Sequence, residues 1–204
     1  MRKNLLKFGT LSLPWWIVSL AIFAALEPGY SHLYNAVSRL GAFGASNALA
    51  MNIVCFLGTG LLVCCAGLGF RSELQSRGYS DSAANWTIVL GLMLAGAAVP
   101  ADFQQNFQSP WTVIHAFFVM LAVIPFLIAA SKTTVVLQQM NMHSKFLKLW
   151  PWLIVPVFCL HALLQQRGLV QRLSIVVVLT WVSYLSWHLA YQTSYHNSDS
   201  NSPA

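Results

Sequence analysis

Six apolar runs alternate with polar segments along the chain, at about 11–26, 47–70, 84–99, 111–130, 149–164 and 170–190. Each approaches the roughly 20 residues that a helix needs to cross the hydrocarbon core of a bilayer. The pattern predicts an all-α membrane protein, a bundle of six transmembrane helices filling residues 1–191. Residues 192–204 are Ser- and Asn-rich and are expected to form a disordered tail. The first run follows Arg2, Lys3 and Lys7, as the core of a signal peptide would. Ala24 and Ala25 lead straight into Leu26, Glu27 and Pro28, a poor cleavage site, so a retained helix is expected. Gly58, Gly60, Gly67 and Gly69 in the second run, with Gly91 and Gly96 in the third, would let helices approach closely.

Charge placement gives the bundle a direction. Arg2, Lys3, Lys7, Arg71, Arg77, Lys132, Lys145 and Lys148 fall on one side of the six-span arrangement. Only Arg39, Arg167 and Arg172 fall on the other, so the richer side and both termini are expected in the cytoplasm. Composition agrees: 57% of the 204 residues are hydrophobic and 8% charged, against roughly a quarter charged in soluble domains. The net charge of +6 does not suggest nucleic-acid binding, because the basic residues sit at the ends of apolar runs. Membrane lipids are the expected partners, and a bacterial cytoplasmic (inner) membrane the expected location. Cys55, Cys64, Cys65 and Cys159 lie inside apolar runs without CxxC spacing and read as small hydrophobes.

This topology collects polar residues at one membrane surface. Glu27 closes the first span there, and Ser31, His32, Ser38 and Arg39 follow in the first outer segment. Asp102 ends the third span, while His115 and His161 sit about one turn inside the fourth and fifth. Arg172 opens the sixth. Ionisable groups in lipid are costly and tend to face the bundle interior or a wet cavity. The simplest reading is structural, with hydrogen bonds locking helix ends together. The functional reading is an outward-facing pocket in which Asp102, His115 and His161 are the candidate catalytic or metal-ligating residues. Imidazole and carboxylate ligands would suit zinc, although no HxxxH or HExxH spacing fixes two ligands on one helix. Glu27, Ser31, His32, Ser38, Arg39 and Arg172 are the candidate binding residues, with the two arginines suited to a phosphate. His188, near the cytoplasmic end of the sixth span, reads as an interfacial residue.

The segment Tyr30-Ser31, followed by Ser38-Arg39-Leu40-Gly41-Ala42, resembles a signature of the prokaryotic membrane family called domain of unknown function 998. Pro100-x-Asp102, His115 early in the fourth span, and the opening Gly168-Leu169-Val170-Gln171-Arg172-Leu173 are similar to that family's later motifs. Arg39 departs from the acidic residue often found at its position. The resemblance implies six spans and no established activity. A fainter architectural likeness joins the chain to six-span proteins linked to lipid-anchor remodelling. The function expected is binding or processing of a lipid or other anionic amphiphile. The alternatives are a structural or accessory subunit of a membrane complex, or a small transporter. The transporter reading lacks an ionisable residue at mid-depth in any span, and enzyme and non-enzyme are not separated because no nucleophile motif is evident.

Overall fold

The computed structural model describes residues 2–105, 108–163 and 167–199, and all regular structure among them is helical. α1 (Arg2–Thr10) and α2 (Ser12–Leu26) meet at a bend of 44°. Pro14 lies in the first turn of α2, where it lacks an N–H and its ring crowds the carbonyl of Thr10. The helix thus begins well before the apolar run. Leu6 is buried on α1 and packs where Gly69 leaves room.

The second helical stretch, Ala48–Ser76, combines α3 (Ala48–Met51), a π-helical turn (Asn52–Leu57) and α4 (Gly58–Ser76). α5 (Ser82–Gly96) returns along α4. The two backbones touch at glycines: a Cβ on Gly91 would lie 2.7 Å from the Cys64 nitrogen, and one on Gly67 would lie 2.9 Å from the Ile88 nitrogen. α6 (Pro110–Leu121) and α7 (Val123–Gln139) form one apolar stretch interrupted at Ala122, where Pro125 removes a donor from the next turn. α8 (Lys145–Leu149) is capped by the Ser144 hydroxyl, which accepts from Leu147 N at 3.3 Å. A 3-10 turn containing Pro151 (Trp150–Leu153) leads to α9 (Ile154–Leu163), and α10 (Arg167–Asp199) completes the bundle.

Ala48–Ser76, Pro110–Gln139 and Gly168–Tyr191 are each long and apolar enough to cross a membrane, and the bent pair α1–α2 makes a fourth. The expected third and fifth spans are shorter helices. The 15 residues of α5 extend only about 22 Å at 1.5 Å per residue. Apolar side chains cover the outside of the bundle: Leu61, Leu92, Phe117 and Met120 are all more than half exposed. A water-soluble domain would not display so many together, and lipid is the solvent that suits them.

The loops gather at two ends. At one, the segment after α2 joins the loop after α5 through Phe43 N to Ala101 O (2.9 Å), and joins α10 through Leu169 N to Leu33 O (3.2 Å). At the opposite end, the Tyr79 hydroxyl donates to Gln139 O at 3.1 Å. Between them, Phe126 and Trp181 pack edge to face in the core. His188 is buried rather than interfacial, stacked on Tyr184, and its Nε2 lacks a partner.

Candidate functional site

The segment that follows α2 is held as a folded cap. Gly29 adopts a positive φ of 70°, Asn35 Oδ1 accepts from Ser31 N at 2.8 Å, and a 3-10 turn (Val37–Gly41) buries Val37, Leu40 and Gly41. Glu27 accepts from Ser46 N at 2.9 Å, closing the base of the segment. Arg172 fastens it to α10. Its guanidinium donates to Asn35 O (3.0 Å), to Gly168 O (2.6 Å) and to the Tyr30 hydroxyl, and it lies over the Tyr30 ring. Gln171 adds an acceptor for Val37 N at 2.7 Å. Burial pushes the Tyr30 phenol above its ordinary 10.0, against the pull of the Arg172 charge.

A second set of contacts shapes the loop after α5. Thr112 bonds the Asp102 backbone twice, accepting from its N–H (2.8 Å) and donating to its carbonyl (3.0 Å). The Asp102 carboxylate turns back on its own loop, where Oδ1 accepts from Gln104 N and Gln105 N. His115, 7% exposed, is held by a 2.8 Å bond between Nδ1 and Val99 O and by the edge of the Phe56 ring. A carbonyl can only accept, so Nδ1 carries the proton of that bond.

Beneath the cap lies a cavity of about 400 Å³. Its walls come from α2, the π-helical turn, α4 to α7, α9 and α10. Ser38, Thr112, His115 and Gln171 line its upper part, and Trp16, Thr59 and Leu179 are among the residues farther down. The π-helical turn shapes one wall by presenting Cys55 and Phe56. Two bonds fix that turn: buried Asn52 donates to Gly41 O at 2.8 Å, and Trp15 Nε1 donates to Val54 O at 2.8 Å. Just below it, the Thr59 hydroxyl is buried without a partner. Helical hydroxyls at Thr87, Ser131, Thr134 and Ser174 instead bond back to the carbonyl four residues earlier.

Of the expected site residues, Ser38 and His115 line the cavity. Glu27, Ser31 and Arg172 build the cap, while His32, edge-on to Tyr30, and Arg39 are exposed on its surface. Asp102 organises its own loop. His161 belongs to α9, but its side chain lies outside the described residues. Among the described residues, no three His, Cys, Asp or Glu side chains are grouped as metal ligands would be. Asn52, Thr59 and Thr112 were not singled out by the sequence, and Gln171 entered only as part of the motif that opens the sixth span. Asn52 carried the clearest signal, as an amide within an apolar run.

No curated protein and no solved structure matches the chain. Residues 10–188 match the family described as proteins of unknown function, DUF998, a match that takes in the cap, the loop after α5 and the start of α10. The chain therefore belongs to the DUF998 family.

Proposed function

We propose that this protein is a six-span protein of the bacterial cytoplasmic membrane that takes a lipid from the outer leaflet into the cavity beneath its capped end. The observation that carries this reading is the cavity itself. Its volume of about 400 Å³ falls within the usual ~300–1,000 Å³ of small-ligand sites. From Thr112 to Val123 its wall follows one helical stretch for about 17 Å, near half the ~30 Å hydrocarbon core. One leaflet's length of chain would fit that depth. α5, and α8 to α9 with the intervening 3-10 turn, supply the third and fifth crossings in this reading. The eight-to-three division of basic residues supports a capped end outside and both termini inside.

His115 stands at the polar part of the cavity. The test is the lipid content of full-length protein purified in mild detergent, read by native mass spectrometry. Ala116 lines the cavity, so Ala116→Trp is expected to remove a bound lipid that the unaltered protein retains. Equal lipid retention by the two proteins would sink the proposal.

A further inference from the structure

Among the described residues, no Lys, Arg, Asp or Glu lines the cavity. The charged groups near it are placed elsewhere. Arg172 gives Nη1 and Nη2 to Asn35 O, Gly168 O and Tyr30, and its buried Nε, which has no partner, lies outside the cavity lining; Arg39 is exposed on the cap, and Asp102 accepts from its own loop. What the cavity does offer is neutral hydrogen bonding on an apolar wall: Ser38, Thr112, His115 and Gln171 in its upper part, and Thr59 deeper. A phosphate drawn into such a site would lose its hydration without gaining a counter-charge, and that penalty is severe. An ester or ring carbonyl loses far less.

Thr59 adds a second, independent sign. Its hydroxyl is buried and unpartnered immediately after the π-helical turn, as is that of Thr133 on α7, but only the Thr59 hydroxyl of this pair lines the cavity; four other helical hydroxyls are satisfied within their own helices. Buried polar groups left unpaired are uncommon and costly, and π-helical turns are frequent at functional sites. Both features fall on the cavity wall.

We infer that the cavity takes an uncharged lipid, a chain-bearing molecule with a carbonyl acceptor for Thr59 and a neutral head beside His115. This rests on the proposal that the cavity is a lipid site and departs from an anionic occupant. A diacylglycerol and a prenyl quinone share the required chemistry.

The test titrates full-length protein in detergent with dioleoylglycerol, with decylubiquinone, and with dioleoyl phosphatidic acid, which has the same chains as the first but carries a phosphate. Binding is read by native mass spectrometry and by the shift in Tm. At least one neutral lipid is expected to bind ten times more tightly than phosphatidic acid, or better, and the tighter of the two identifies the source. Thr59→Val, which keeps the shape, is expected to weaken that binding about three- to tenfold, the worth of one buried hydrogen bond. Unchanged affinity in Thr59→Val would overturn the bond assigned to Thr59. Phosphatidic acid binding as tightly as both neutral lipids, or no binding by either of them, would overturn the inference. Ala116→Trp separates the two levels. If it abolishes binding while phosphatidic acid is preferred, the lipid site stands and its neutral chemistry fails; if it leaves every titration unchanged, the site itself fails.

Discussion

Arg172 does at the residue scale what a short linker does elsewhere: it ties a loop to a helix more than a hundred positions away in sequence. An arginine near a membrane surface reads from sequence as an anion site. Whether its donors are free depends on carbonyls that only the folded chain brings near, here Asn35 O and Gly168 O. Tyr30 completes the clamp, accepting from Arg172 and donating to Ala36 O at 3.2 Å. That donation needs the phenolic proton, and burial raises the phenol's pKa above 10.0. A group whose folded pKa is raised contributes fully below its unfolded pKa and loses that contribution as pH rises through the folded value. Tyr30→Phe is therefore expected to lower stability by about 1 kcal/mol at neutral pH. The difference from the unaltered protein should be complete below about pH 10 and narrow as pH rises above it. Denaturation in detergent on both sides of that pH measures it, and a gap that stays constant would contradict the role given to the proton.

At the scale of elements, the apolar runs were legible because lipid demands long stretches without charge; helices occupy them, but three, or four with the bent pair, are long and apolar enough to span. Their ends were less legible. Basic residues and single polar residues do not stop a helix whose other side is buried, so α1 reaches back to Arg2 and α7 continues past Lys132 to Gln139. The α4–α5 seam was legible in its glycines, since only a missing Cβ permits backbone contact at Gly60, Gly67 and Gly91. Gly91→Leu would drive a side chain into the Cys64 backbone. It is expected to cost about 3 kcal/mol or more, seen as a fall in Tm and loss of a single monodisperse peak in detergent. An unchanged Tm would mean that the seam is looser than these distances indicate.

For the whole molecule, the sidedness of the loops is the property from which the proposed function follows. Tyr34 on the cap and Ser80 in the turn between α4 and α5 are both exposed, at opposite ends of the bundle. In a background without the four native cysteines, Tyr34→Cys is expected to react with a membrane-impermeant maleimide on intact cells. Ser80→Cys should react only after lysis, and the reverse result would turn the protein over. The cavity itself could not be read from the sequence. It arises where several helices fail to fill a shared space, and neither periodicity nor composition records such a mismatch. His115 was recognisable as a costly polar residue and Ser38 as part of the polar outer segment, but Thr59 was not, because a threonine in an apolar helix ordinarily satisfies itself.

The π-helical turn at Asn52–Leu57 has a geometrical consequence for the rest of its helix. Each residue advances an α-helix by about 100°, and a π-turn accommodates one residue beyond the α-helical count. The turn therefore acts as a phase shift between two halves of one rod. At its upper end, Asn52 meets the cap; below it, Gly60 and Gly67 meet α5. A chain one residue shorter here could keep either match in register, but not both.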